Sequence, residues 1–446
     1  MGRMSLVIST TAFFTVLLIY PVGMFINLRL NTWKERGVTG YYFGCYWKYL
    51  LLTSIVASIV MSIIDTTSGI EFHMDLMWLL VLICGSLLFN TANQTVIPSL
   101  NLFNARGWFI GLTLLTIAVG FLFSLLLAQQ FGARAEVWLL GPIFGQMLFA
   151  LVGEKILFRE IFEPGNKGNF SVAQISILLA FAWPVTLSAG LNWAQTQGYR
   201  FLLENETGLI SLGFFFAGYG VSAGLMSATE TILATYFQPR FYKKISGGLP
   251  AEQSAAWKDY AQIMIPAILL TGIFVAVLAQ EIARLLLAPP FWSAAAFVIW
   301  GAGAETLRAI AGIFGLIAHA KMNTRLLLLP HLLGAVVALS LTWYWLPVFG
   351  AEGVGAALVT AGSITLLSMM RMARSQMKIA LSPRRLLWCA GFGASLFVLA
   401  AGFRLLAEES FTIWATLSVI APLGFVFGIF QLLMLRPYFK NGKEPQ

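Results

Sequence analysis

The sequence predicts an all-α polytopic membrane protein of about thirteen transmembrane helices, on three observations. The chain is 59% hydrophobic and only 11% charged, with a mean hydropathy of +0.81, whereas a soluble domain is about one-quarter charged. Windows of roughly 20 apolar residues, enough to cross a ~30 Å hydrocarbon core, recur from end to end. Threaded alternately through a bilayer, these windows sort Lys and Arg to one side.

The windows follow one another closely. Span 5–28 runs into the basic stretch "NLRLNTWKERG", and spans 47–64 and 77–103 are joined by "DTTSGIEFHMD". Span 107–128 follows "NARG", and 137–157 follows "FGAR". Loop 154–170, "EKILFREIFEPGNKGNF", has Pro164, two glycines and mixed charge, the composition of a joint between two parts of the chain. Spans 171–195 and 207–236 come next, and then the basic loop "FQPRFYKKISGGLPAEQSAAWK". Spans 260–279, 291–318, 326–346 and 351–370 precede "RRLLW", after which 386–403 and 412–435 form a trailing pair. The longest gap, 237–259, is too short for a soluble domain. Span 5–28 is too long for a signal peptide's apolar region and lacks an A-x-A site, so it reads as a retained helix. Pro21, Pro98, Pro184 and Pro266 lie within spans and invite bends that could serve as hinges.

The net charge of +9 reflects orientation rather than nucleic-acid binding. Of the 28 Lys and Arg residues, 22 fall in one set of loops and 5 (Arg3, Arg134, Arg200, Arg284, Arg404) in the other, with Arg308 alone in mid-span. That bias places the C-terminus in the cytoplasm and the N-terminus outside. Cys45, Cys84 and Cys389 have no metal-ligand or CxxC spacing, and His73, His319 and His331 are scattered. There is no P-loop, DxD or HExxH motif, and no large outer loop bearing catalytic acids. No metal, no cofactor and no ATP hydrolysis are expected.

Residues 104–145 can be laid on 323–363. In both, an Asn and an Arg open an apolar helix, the helix ends at "FGA", and a glycine-bearing helix returns. Both copies have the same membrane orientation, as in a parallel repeat.

The stretch "FAWPVTLSAGLNWAQTQGYRFLLENETGLISLGFFFAGYGVSAGLM" (181–226) resembles the seventh and eighth helices of the multidrug/oligosaccharidyl-lipid/polysaccharide exporter superfamily, in its polysaccharide-exporter, O-antigen-flippase-like branch. The likeness rests on Pro184, Trp193, Arg200 and the glycine-containing helix that leads to "QPRFYKK". "FGAEGVGAALVTAGS" resembles that branch's eleventh-to-twelfth-helix turn, and "PVGMFINLRLNTWKERG" the end of its second helix. The resemblance implies a MATE-like fold, with two pseudo-symmetric lobes around a central cavity. The first helix is absent, leaving five helices in 1–160, six in 161–380 and the trailing pair and cytoplasmic tail in 381–446. It further implies a transporter of the cytoplasmic (inner) membrane. Its partners would be membrane lipid, a polyprenyl-diphosphate-linked glycan, and the glycosyltransferases and polysaccharide polymerase of envelope biosynthesis. The family often has an Asp just before the Arg of the seventh helix. Here the pair is Tyr199-Arg200, which removes any coupling role for that Asp.

Several residues could carry function. Glu305 and Arg308 lie about 20 Å along their span, near the midplane, where a lone charge costs at least ~2.5–3.5 kcal/mol. The i, i+3 spacing puts them on one face. They are either an internally neutralised structural pair, or a site where Arg308 attracts an anionic headgroup and Glu305 holds or exchanges Na+ or H+. Glu230 is a second buried acid, either pairing with Lys243 and Lys244 or coupling to a cation. Arg200, with Asn192, Trp193 and Gln195, forms a rim at the outer end of its span, suited to phosphate and sugar or to anchoring at the interface. Arg29 and Asn27 mark the cytoplasmic end of the first span, facing the side from which a diphosphate-linked donor would arrive. Asn90, Asn93, Gln94 and Asn101 fall on one helical face, where amides bind either sugar hydroxyls or neighbouring helices.

Three functions compete. The first is flipping or export of a lipid-linked oligosaccharide or polysaccharide by alternating access. The second is cation-coupled export of small molecules or drugs on the same fold, and the third is an integral membrane glycosyltransferase or polymerase. Short outer loops disfavour the third.

Overall fold

A backbone in hydrocarbon must satisfy its own N–H and C=O groups, and a helix does so within one segment. In the computed structural model every regular element among the described residues is helical. The described residues are 1–446 apart from 68–71, 73, 104, 162–171, 246–249, 322, 380, 382, 407–412 and 441–446. At 27, 28, 30–32, 102, 160, 161, 172–175, 181, 239, 240, 242–244, 250, 406, 413, 415 and 435–440 only the backbone is described.

Helix α1 spans 2–35, with a π-helical turn at Thr15–Ile19, and α2 spans Thr39–Thr67. Helix α3 spans 76–102 with a second π turn at Ser86–Asn90, and α4 covers Arg106–Phe131. Helix α5 spans 135–161 and ends in a third π turn, Leu157–Ile161. Helix α6 is 172–207, interrupted by a turn at Gly198, α7 is 209–245 and α8 is Pro250–Val277. The short α9, Ala279–Leu286, precedes α10, Ala295–Ala320. Helix α11 is 328–349 and α12 is 351–376, followed by α13, Pro383–Leu406, and α14, Ile413–Lys440.

Eleven helical stretches are long and apolar enough to cross a membrane. Two of them, Ser176–Gln238 and Thr324–Gln376, are too long for one crossing; 63 residues would extend about 95 Å. Each folds back at a glycine with positive φ, Gly208 (φ 78°) and Gly350 (φ 59°). Across Gly208 the Tyr199 ring packs on Phe215 at 5.2 Å, and across Gly350 the Cα of Gly334 lies against Thr365. The described residues therefore make thirteen crossings, and the chain is a multi-pass membrane protein. The helix of the sixth span ends at Gln197, close to the expected 195, and after a turn at Gly198 helix resumes at Tyr199 and runs to 207, which puts Arg200 inside a helix. The two aligned "FGA" turns are alike in conformation: Gly132 (φ 83°, ψ 162°) and Gly350 (φ 59°, ψ −148°) lie in a region essentially reserved to glycine.

The chain divides into two compact units, Met1–Trp193 and Ala194–Gln446. The start of α6 belongs to the first unit for a local reason. Helix α6 begins against α1, where Thr186 Oγ1 donates to the Leu17 carbonyl at 3.3 Å and Trp193 Nε1 donates to the Ser9 carbonyl at 2.9 Å. The trailing helices belong to the second unit because α13 is fastened to α8 and α9 in a constant register of 123 residues. Arg385 Nη1 donates to the Gln262 carbonyl at 2.9 Å, and Arg404 Nε reaches Glu281 Oε1 at 2.7 Å.

The prolines explain several of these bonds. A helical proline removes the N–H that residue i−4's carbonyl would accept, and in lipid another group has to replace it. Pro21 frees the carbonyl of Leu17, which takes Thr186. Pro142 frees Trp138, which takes Ser124 Oγ at 2.8 Å. Pro266 frees Gln262, which takes Arg385. Pro21 and Pro266, two of the prolines expected to bend their spans, and Pro142 are thus stitched to neighbouring helices.

Small residues set the packing within each unit. In the first unit, Gly141 and Gly145 of α5 meet Gly120, Ser124 and the Thr116 carbonyl of α4, with no room for a Cβ. In the second unit α10 is surrounded. Gly218 of α7 lies on the Ala294 carbonyl, Gly301 on Ser222, Gly355 of α12 on Trp300, and Gly272 of α8 on Thr306. Beneath them Trp257, fully buried, packs on Phe314 at 5.2 Å and donates to the Ile313 carbonyl at 3.2 Å.

Candidate functional site

Glycine-lined packing holds α7 and α10 side by side in one register, with Ser222 Oγ donating to the Val298 carbonyl 76 residues on, at 2.6 Å. The same register brings Glu230 to Arg308, 78 residues on. Arg308 Nε donates to Glu305 Oε2 at 2.6 Å and its Nη2 donates to Glu230 Oε2 at 2.9 Å. Tyr219 Oη donates to the remaining oxygen of Glu305, Oε1, at 2.7 Å. One guanidinium therefore serves two carboxylates, and a phenol takes up the remaining demand of the deeper one. The expected Glu305–Arg308 pair is made. Glu230 joins it, while the side chains of Lys243 and Lys244 lie outside the described residues.

The two carboxylates differ in access. The Glu305 side chain is 9% exposed, against 32% for Glu230 and 34% for Arg308. The surface beside them is unlike a lipid-facing one. Gly220, Gly224, Ser227, Thr231 and Thr235 are all exposed on α7, spaced three or four residues apart as on one helical face. No atom comes within 4 Å of a Cβ built at Gly220 or Gly224, or at Gly312, one turn beyond Arg308. Elsewhere on α7 the exposed residues are large and apolar, as at Ile210 and Ile232.

Of the expected rim residues, Asn192 and Trp193 belong to the first unit and Gln195 and Arg200 to the second. Arg200 is buried, its guanidinium 5.0 Å from the Phe216 ring centroid and its Nε 3.4 Å from Tyr199 Oη. Aromatic stacking offsets the burial of its charge. Gln195 is also buried, its amide oxygen accepting from Thr365 Oγ1 at 3.2 Å. Trp193 packs on Phe13 at 4.7 Å besides its bond to Ser9, and Asn192 is half-buried beside it in the chain. Arg29 is exposed, stacked over Phe25 at 5.3 Å, and the Asn27 side chain lies outside the described residues.

The amides of α3 do come together, in the first unit. Asn93 Nδ2 donates to Thr116 Oγ1 at 3.3 Å and to the Gln146 carbonyl at 3.4 Å. Asn90 Oδ1 accepts from Gln94 Nε2 at 2.9 Å and from Gln146 Nε2 at 3.2 Å. Asn93 joins three helices, whereas Gln94 is exposed and held only along its own helix by these bonds. Asn101 is exposed about 10 Å further along α3. Among the described residues no group of three or more His, Cys, Asp and Glu is placed to hold a metal ion.

Three participants escaped the sequence reading. Tyr219 lies eleven residues before Glu230, three helical turns away on the same face, and that spacing was the available signal. Gln146 had no partner legible in its own helix. Glu281 and Arg404 form a two-pronged ion pair, with Arg404 Nη2 also donating to Glu281 Oε2 at 2.8 Å, although Arg404 reads from sequence as an outer-loop charge.

No family model and no curated protein matches the sequence. Solved structures do match in shape. A lipid II flippase, MurJ, in an inward closed conformation superposes with a TM-score of 0.65 over 98% of both chains at 13% identity. An inward-facing multidrug resistance MATE family transporter of the MOP superfamily gives 0.62 over 83% of this chain and 87% of its own, at 12% identity. A eukaryotic MATE transporter gives 0.53 over 84% and 86%, at 14% identity. At such identities the likeness is one of fold. Thirteen crossings, the glycine-turned hairpins and these superpositions together give the chain the fold of the multidrug/oligosaccharidyl-lipid/polysaccharide exporter superfamily.

Proposed function

We propose that this protein is a transporter, not an enzyme, that moves a polyprenyl-diphosphate-linked oligosaccharide or a polysaccharide across the cytoplasmic membrane by alternating access. The observation that carries the reading is Arg308, a guanidinium deep in a membrane span, one-third exposed beside a face of glycine, serine and threonine. A charge held there at such cost is typically functional, and a guanidinium fork matches phosphate oxygens. The MurJ likeness over nearly the whole chain supports a lipid-linked cargo. In this reading the exposed amides Gln94 and Asn101 contact sugar, Asn93 holds α3 against α4 and α5 beside them, and glycosyltransferases and a polymerase act before and after transport. Arg29, Arg200, Asn192 and Trp193 remain secondary candidates for substrate contact. Lys and Arg asymmetry supports a cytoplasmic C-terminus and an N-terminus outside.

A second reading, cation-coupled export of cationic drugs, is favoured by the two carboxylates around one guanidinium. Reconstituted vesicles separate the two. Translocation of a polyprenyl-diphosphate oligosaccharide, falling to background in Arg308→Ala, is the expected result. Glycan transport left intact in both Arg308→Ala and Glu305→Gln would overturn it, and ethidium efflux without glycan transport would establish the second reading.

A further inference from the structure

Arg308 is bound unequally by its two carboxylates. Glu305 is on the same helix, three residues away, so no movement between helices separates the pair, and both its oxygens are engaged, by Arg308 Nε and Tyr219 Oη. Glu230 belongs to α7, holds Arg308 through Nη2 alone in the bonds described, and is over three times as exposed. The bond to Glu230 is made at Nη2, which with Nη1 makes up the outer edge of the guanidinium. That edge offers a two-pronged fork to phosphate, and the Nε edge is already committed to Glu305. Gly312 and Gly224, without side chains, leave the approach open.

We infer that Glu230 is an exchangeable internal ligand of Arg308: an incoming diphosphate takes its place at Nη2, and the released carboxylate takes up a monovalent cation. The inference rests on the anionic-substrate reading above and specifies how substrate and ion are linked within it. The charge accounting is one for one. The phosphate oxygen replaces the carboxylate oxygen on the guanidinium, and the cation replaces the guanidinium beside Glu230. Glu305 and Tyr219 keep Arg308 in place throughout. An uncompensated carboxylate in low dielectric is costly, so anion and cation each favour the other's binding by the same factor.

The test is binding of inorganic pyrophosphate to the purified full-length protein in detergent, by calorimetry, in NaCl and in choline chloride at equal ionic strength. Wild type is expected to bind about five- to tenfold tighter in Na+, within the range of ordinary site-to-site coupling. Glu230→Gln, which keeps an acceptor for Nη2 but no charge, is expected to bind tighter than wild type and equally in both salts. Glu230→Asp keeps the charge and is expected to retain the Na+ dependence. Glu230→Gln binding that stays Na+-dependent, or that is no tighter than wild type, overturns the exchange but leaves Arg308 as the anion site. Equal pyrophosphate binding by wild type and by Glu230→Gln/Glu305→Gln/Arg308→Met, or no binding by either, overturns the anionic-substrate reading itself.

Discussion

The two units bury polarity in different ways. The first joins α3, α4 and α5 through neutral groups, with Asn93 on Thr116 and the Gln146 backbone, and Asn90 shared by Gln94 and Gln146. The second places a guanidinium and two carboxylates at the corresponding task of joining α7 to α10. Neutral amides in a membrane contribute modestly, about 0.6 kcal/mol on average and at most ~1.7. Charges there are expensive to insert and cost more still when one partner is removed. If joining helices were the only requirement, amides would do it more cheaply. In the proposed function the second unit's cluster is the one that works on the cargo and the first unit's is largely architectural, with the exposed Gln94 its most available group.

The comparison breaks most visibly if the second unit is rebuilt in the style of the first. Arg308→Met alone leaves Glu305, nearly buried, facing Glu230 without a counter-ion, and is expected to cost about 3 kcal/mol of stability, read as a fall in thermal midpoint in detergent. Glu230→Gln/Glu305→Gln/Arg308→Met replaces the charges with amides and an apolar chain, and is expected to recover to within about 1 kcal/mol of wild type while transporting nothing. A triple variant as unstable as the single one would mean that the charges hold the unit together after all.

The fold was legible because lipid imposes it: apolar windows, basic loops and the "FGA" turns are each written locally in the chain. The Glu305–Arg308 pair was legible for the same reason, being three residues apart. Glu230 with Arg308, Gln146 with Asn90 and Arg404 with Glu281 were not, since each depends on the register between helices, which glycine contacts set at a distance in sequence. The surroundings of Arg200 were not legible either: read as the outer end of a span, it lies in helix that resumes at Tyr199, between the Tyr199 and Phe216 rings.

A smaller effect tests the other side of the comparison. Asn93→Leu removes both of the amide's cross-helix bonds while preserving most of its volume. It is expected to lower stability by about 1 kcal/mol and to leave cation-dependent pyrophosphate binding unchanged. A loss of that binding would place Asn93 in the anion site and erase the distinction between the units.

The smallest effect concerns how the first unit tolerates its prolines. Ser124 Oγ donates to the Trp138 carbonyl that Pro142 leaves without its helical donor. Ser124→Ala should therefore cost about 1 kcal/mol, the worth of a hydrogen bond whose acceptor has no solvent alternative. Pro142→Ala restores the backbone N–H, so in that background the Trp138 carbonyl has its usual partner and Ser124 becomes dispensable. The double-mutant cycle should then show that most of the Ser124→Ala cost disappears, a coupling of about 0.5–1 kcal/mol, measured by thermal or denaturant unfolding in one detergent. Simple additivity would show that Ser124 acts instead through its close packing on Gly141. The stitch between proline and hydroxyl would then be a by-product of glycine packing rather than the reason the bend is tolerated.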